Sequence, residues 1–468
     1  MSFDIENRLF VYDEEKWKTL LNKNYELEAP TVTEVDNGIV LPLRPAQKGP
    51  NRFAGGVCDK KFNFIAGGHF VYHDNSSPSA CSRSYIPSEP VHIRHETVVF
   101  GGILHNIFAI TLSNDLSRLW YLADHPEIPY KFIFIEDRLW GKFTFFNILE
   151  AAGLPKDRIE IIEYPTQFDK VIVPDQTFYF FSNYRIGVDK IFNYMRSLVK
   201  PGPYKKVYLS RSALKSKREI TFNEEYFENF YKKRGYEIVH PEQLPFTEQL
   251  SIMAGADEVV ATDGSLPLLA QFCKPETKVV ILLRAFQYVS QTPIAVSSTI
   301  KNCWIVDVHF NFLPATLDVG AELVGPTSCW RRYLEHEHIP HTTEEVSEEI
   351  HIKPVLYDYI RLWGETAKDI KIFGSDHWFC LKNYTLIDIL DWTNMIFCGN
   401  KIDRSLYPDR NYVVWLRQEN QRLSQEYQLL NKENQRLATK LNRMLHRRLK
   451  RQLRKLKDWI KNLIKKKH

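Results

Sequence analysis

No stretch of this sequence reaches the roughly 18 consecutive apolar residues that a membrane-crossing helix needs. The opening Met1-Ser-Phe-Asp-Ile-Glu-Asn lacks the basic start and apolar middle of a secretory signal, so a cytoplasmic location is expected. Cysteine is sparse and unpaired in pattern: Cys58, Cys81, Cys273, Cys303, Cys329, Cys380 and Cys398 are odd in number and never spaced as a metal or redox pair. That excludes a disulfide framework and a zinc ribbon and implies reduced, buried thiols. In such a compartment the sequons at Asn75 and Asn383 carry no glycosylation. Strong net charge is also missing, at +5 for 468 residues, while 44% hydrophobic and 13% aromatic content suffices for two or three packed domains.

What is present is an alternation of short β-rich runs with helix-compatible segments. Lys206 to Ser210, Tyr236 to Val239 and Glu258 to Thr262 read as strands, Glu224 to Lys233 and Leu266 to Phe272 as helices. Strands alternating with helices imply a parallel sheet, and ligands of such sheets sit beyond the carboxyl ends of the strands. Those ends carry Ser210-Arg211, His240-Pro241-Glu242 and Asp263-Gly264-Ser265. Arg211 and Arg218 suit bidentate contact with phosphate oxygens, Glu242 suits ribose hydroxyls, and Gly264-Ser265 opens a helix whose N–H groups face an anion. Taken singly, each is an ordinary turn or surface residue; their convergence at successive strand ends points to a nucleotide diphosphate.

These residues resemble glycosyltransferase family 61, which includes bacterial capsule-type transferases and eukaryotic xylosyl- and N-acetylglucosaminyltransferases. The likeness runs from about Phe100 to about Leu283 and is strongest in Val207-Tyr-Leu-Ser-Arg, Arg218-Glu219, Asn223-Glu224, Tyr236 to Glu242 and Gly264-Ser265. It implies a GT-B-like pair of Rossmann-like α/β domains, with the nucleotide sugar held by Ser210, Arg211, Arg218, Glu242, Gly264 and Ser265 of the second. It also implies an inverting displacement in which a base deprotonates the acceptor hydroxyl. The chain departs from the family where many bacterial relatives carry Gly-His-Phe and a Glu four residues after the His: Ala109, Ile110, Thr111 and Asn114 stand there. Pro267-Leu268 likewise replaces a His-Asn pair. His105 and Asp115 are the nearby candidates for the base, and His92, Arg94, His95 and Glu96 form a second cluster that reads equally as an exposed strand face. No Asp-x-Asp occurs in the chain, which removes the usual metal-diphosphate clamp of the other large transferase architecture. Neither metal nor cofactor is expected, with arginines and a helix end neutralising the leaving phosphates.

The first half repeats the α/β pattern, with strands at Lys131 to Ile135, Arg158 to Ile162 and Val171 to Pro174 and a helix at Lys142 to Ala152. Residues 1 to about 90 are turn-rich and are expected to wrap it. The expected organisation is an acceptor-side domain over 1–198, a donor domain over 199–310 and a folded extension over 311–405. In that extension Trp330-Arg331-Arg332 reads as packing ahead of acceptor contact. Leu416, Leu423, Leu430, Leu437 and Met444 recur every seven residues, with Asn420, Tyr427, Asn434 and Leu441 between them, so 412–441 predicts a coiled coil and a parallel homodimer through 416–444. Residues 443–468 hold 12 Lys or Arg against the single Asp458, a local +11 that leaves −6 for the rest. Leu445, Leu449, Leu453, Leu456, Trp459, Ile460, Leu463 and Ile464 share one helical face opposite the basic residues. That segregation, within 442–468, predicts an amphipathic helix on an anionic membrane, since nucleic acid would not need an apolar face. The combined expectation is a glycosyltransferase peripheral to the inner membrane face, working on a glycan or glycolipid acceptor. The alternative is a catalytically inactive scaffold or nucleotide-sugar-binding assembly factor.

Overall fold

The computed structural model describes residues 7–45, 53–70, 81–179, 183–214, 219–284, 292–310 and 320–366. The expected coiled coil, the basic helix, Arg218 and parts of the 311–405 extension lie outside these residues.

Within them the chain is mixed α/β. Six parallel strands form one sheet in the order Glu237–Val239, Lys206–Leu209, Glu258–Thr262, Lys278–Leu283, Asn302–Asp307 and Leu9–Phe10. Counted along the chain from Lys206, the first five run 2-1-3-4-5, a doubly wound order that reverses direction between Lys206–Leu209 and Glu258–Thr262. The strands are short apolar runs because both faces are covered. Val207, Leu209, Val259, Ala261, Val279 and Ile281 join one core, and Tyr208, Val260, Val280 and Leu282 the other.

A second sheet has the order Phe53–Cys58, Ile39–Pro45, Thr166–Pro174, His92–His105, Lys131–Asp137 and Ile159–Ile161. Its last four strands are parallel; the Ile39–Pro45 and Phe53–Cys58 hairpin joins antiparallel. Val98, Phe100, Ile133, Ile135, Val171 and Val173 bury one face of it. The other face belongs to a core that continues from Phe132 and Phe134 through Phe192 and Met195 to Phe272 and Val259 of the six-stranded sheet. This mixed α/β architecture with parallel sheets is compatible with a Rossmann-like glycosyltransferase fold. Among the described residues no helix is long and apolar enough to cross a membrane.

One expectation about chain organisation changes. The first strand does not wrap the amino-terminal half: Leu9–Phe10 pairs with Ile305–Val306 and closes the free edge of the six-stranded sheet, anchored by the Tyr12 N–H donating to Asp307 Oδ2 at 2.7 Å. The described part of the extension packs on the second domain. Helix Ser328–His336 is capped by the Thr327 hydroxyl, and its Trp330 and Tyr333 are buried with Phe227, Phe230 and Tyr231. Apolar area decides this, because the Tyr208, Val260 and Val280 face needs a helical cover. The five described cysteines are buried and free, and burial pushes the Cys58, Cys81, Cys273 and Cys303 thiols up to about 12.

Candidate nucleotide-sugar site

The strand order locates the site before any side chain is considered. In a doubly wound sheet the crevice opens where the order reverses, here between the carboxyl ends of Lys206–Leu209 and Glu258–Thr262. The residues that follow these strands are Ser210-Arg211 and Asp263-Gly264-Ser265. Gly264 has φ +132, a left-handed conformation that glycine alone adopts without strain. A methyl group there would lie 2.7 Å from Arg211 Nη1 and 3.1 Å from Arg284 Nη2. The missing side chain therefore makes room for two guanidinium groups. The Gly264 N–H is held by Asp263 Oδ1 at 2.7 Å, and its carbonyl accepts from the Thr292 hydroxyl at 3.0 Å.

Arg284 follows the apolar strand Lys278–Leu283 and is 1% exposed. Its Nε donates to the Asp263 carbonyl at 2.5 Å and its Nη1 to Glu322, with Thr221 Oγ1 at 3.4 Å. Glu322 belongs to a separate two-strand ladder, Glu219–Phe222 with Gly320–Leu323. A buried ion pair of this kind costs desolvation and returns little net stability, so its use is to hold Arg284 in one orientation. On the other side, Glu224 Oε1 accepts from the Tyr208 hydroxyl at 2.8 Å, the Thr262 hydroxyl at 3.1 Å and the Arg211 N–H at 3.4 Å. Burial raises the Glu224 carboxyl above its ordinary range, opposed by the Tyr208 hydrogen bond and by the Arg211 charge. Asn223, at φ +68, donates to the Val324 carbonyl at 2.9 Å and turns the start of helix Glu224–Lys232 into the strand ends. The Asn223-Glu224 pair thus has a physical job: it fixes the floor beneath Arg211.

Of the expected binding residues, the structure brings Arg211 and Gly264 together, with Ser265 next in the chain. Ser210 is 0% exposed and serves the turn: its hydroxyl donates to Glu228 Oε1 and accepts the Ser212 N–H at 3.0 Å. Glu242 is exposed on the Pro241–Gln243 turn beyond the neighbouring strand, a turn braced by the Gln249 amide donating to Pro241 and Leu244 carbonyls. The helix after Ser265 is seven residues of 3-10 geometry with proline in its first turn, so its end presents fewer free N–H groups than an α-helix. The two arginines, rather than a helix dipole, supply the positive charge. Arg284, Thr221 and Glu322 escaped the sequence reading; an arginine directly after an apolar parallel strand was the available signal.

The second candidate pair meets at the carboxyl edge of the other sheet. His105 ends strand His92–His105, its Nδ1 lies 2.8 Å from Asp115 Oδ1, and its backbone N–H donates to Asp115 Oδ2 at 2.9 Å. Asp137, ending the adjacent strand, stands 3.9 Å from His105 Nε2, and the Phe70 ring covers the imidazole at 4.6 Å between centroids. His105 and Asp115 are each 1% exposed. Burial raises the Asp115 carboxyl, against the pull of His105. Asp115 closes a π-helical turn, Thr111–Asp115, of the kind often found at functional sites, and this turn packs against the Leu266–Phe272 helix. The Ile110 and Asn114 departures from the family pattern are both buried, the first immediately before this turn and the second within it. His92, Arg94, His95 and Glu96 are instead a strand face, where Arg94 pairs with Glu160 and His95 with Asp169.

Comparison with known proteins gives one positive finding. Residues 84–280 match the profile of the family Glycosyltransferase 61, a span that contains the His105–Asp115 pair, Arg211 and Gly264. No curated protein matches the chain. The profile match supports family 61 and glycosyl transfer in general.

Proposed function

We propose that this chain transfers a sugar from a nucleotide-sugar donor to a saccharide acceptor, as a GT-B-type, inverting and metal-independent glycosyltransferase. The observation that carries this reading is the convergence of the Arg211 and Arg284 guanidinium groups on Gly264 at the strand-order reversal. Two guanidinium groups in a buried setting stabilise a diphosphate leaving group where its charge develops. The reaction is a single displacement: the acceptor oxygen bonds to the anomeric carbon as the carbon–oxygen bond to phosphate breaks, and the acceptor proton passes to a base. His105, held by Asp115, is the proposed base. Dimerisation through 416–444 and an anionic inner membrane surface beneath 443–468 complete the proposal, with a lipid-linked or surface polysaccharide as acceptor.

The test is turnover of a panel of nucleotide sugars by the full chain, with and without excess chelator. Hydrolysis or transfer that survives EDTA is expected; loss of activity restored by manganese or magnesium overturns the metal-free mechanism. His105→Ala is expected to lower the rate by about 10²–10⁴, the usual span for a lost general base, while nucleotide affinity holds. A second reading has its own observation: the buried, Phe70-covered His105 and the Ile110 and Asn114 replacements favour an inactive nucleotide-sugar-binding scaffold. Nucleotide-sugar binding without turnover of any donor would select it.

A further inference from the structure

A cavity of about 430 Å³ lies away from the arginine pair, between the Ile39–Pro45 strand and the carboxyl ends of Lys131–Asp137 and Ile159–Ile161. Its floor is apolar, from residues such as Leu43, Phe53 and Ile162. Its rim alternates hydrogen-bond acceptors and donors. Arg44 pairs with Glu89, and Arg138 donates to both Glu136, at 2.9 Å, and Glu163, at 2.7 Å. Tyr85 adds an aromatic face with Arg44 stacked on it at 4.5 Å.

We infer that this cavity holds the saccharide acceptor, an inference that rests on the glycosyl-transfer reading. A sugar ring is apolar on its C–H faces and carries hydroxyls around its edge that both donate and accept. An apolar floor within a ring of carboxylates and guanidinium groups matches that pattern. Three carboxylates against two guanidinium groups leave the rim net negative, which repels a nucleoside diphosphate and admits a neutral glycan. Two of the cavity's lining residues, Glu136 and Arg138, are the chain neighbours of Asp137, which stands 3.9 Å from His105 Nε2. Pro42, Leu43, Arg44, Pro45 and Phe53 of the wall precede the family match at residue 84, so acceptor choice belongs to this chain rather than to the shared core.

The experiment is saturation-transfer NMR on the full chain with neutral di- to tetrasaccharides of glucose, xylose, galactose and N-acetylglucosamine, alongside calorimetry with a nucleoside diphosphate. Leu139 lines the cavity and is 54% exposed, so Leu139→Trp plugs it without disturbing the core. At least one saccharide is expected to bind the wild type and to bind Leu139→Trp at least tenfold more weakly, with nucleotide affinity unchanged. Arg138→Ala, which removes rim donors without filling space, is expected to weaken the same saccharide and decides the matter where the tryptophan variant misfolds. Absence of saccharide binding to the wild type at millimolar concentration overturns the proposal, as does unchanged binding in both variants. Saccharide binding that responds to both variants without turnover of any donor would retain the cavity while removing the transfer reading.

Discussion

At the residue scale the site depends on a side chain that is absent. Gly264-Ser265 was expected to open a helix whose N–H groups face an anion; the observed role of Gly264 is to admit Arg211 and Arg284. Gly264→Ala is therefore expected to lose nucleotide affinity through two causes, the displaced Arg211 guanidinium and a φ of +132 that alanine adopts only under strain. Arg211→Ala removes the charge without the strain. It is expected to weaken nucleoside diphosphate binding by about 1.5–3 kcal/mol, the range for a charged hydrogen bond. Calorimetry on both variants checks this, and Arg211→Ala with parental affinity would take that residue out of the site. Glu224 and Glu322 act at one remove, since each carboxylate fixes a group that carries an arginine: the Arg211 backbone in one case, the Arg284 guanidinium in the other.

Elements were legible in proportion to their apolar regularity. Lys206–Leu209, Glu258–Thr262 and Lys131–Asp137 are where their β-rich runs placed them, because strands buried on both faces write themselves as continuous apolar sequence. Long-range pairing left no such trace: two residues, Leu9–Phe10, cross to the far edge of the sheet, and Arg284 meets Glu322, 38 positions further along the chain. The Ser328–His336 helix tests its packing role directly. Trp330 is 0% exposed against Phe227, Phe230 and Tyr333, so Trp330→Ala should destabilise the fold by about 3–5 kcal/mol in chemical denaturation. A loss below about 1 kcal/mol would return Trp330 to the list of acceptor contacts. Beyond this helix, Glu345 accepts from Arg234 at 2.9 Å and from the Thr342 N–H at 3.1 Å, and the Arg234 hydrogen bond lowers its carboxyl to about 2. A depressed carboxyl stabilises the fold above its unfolded value near 4.5 and loses that effect as pH falls toward about 2. Glu345→Gln should thus be less stable than the parent at neutral pH, with the gap closing between pH of about 4.5 and about 2; a gap independent of pH would mean that the pair contributes through packing alone.

At the scale of the whole molecule, charge is divided between an acidic body and a basic end. Residues 443–468 carry +11 and the remainder −6, so on the proposed anionic surface the tail would be attracted while the body is repelled. Each basic residue near such a surface is worth about 1 kcal/mol, so even half of the twelve would hold the protein at low salt. Electrostatics alone does not require Leu449, Leu456 and Ile460 to share a helical face; burial of that face in the acyl boundary does. Removing 443–468 should release the chain from anionic vesicles and leave its thermal unfolding unchanged. The triple change of Leu449, Leu456 and Ile460 to Ser separates the two attractions, because it keeps every charge. An inserted helix would bind anionic vesicles far more weakly after the change and lose its vesicle-induced helicity, whereas a purely electrostatic tether would bind as the parent does and weaken only with salt. Parental binding of the triple mutant to neutral and anionic vesicles alike would overturn the membrane proposal and direct the search to a protein partner for the same apolar face.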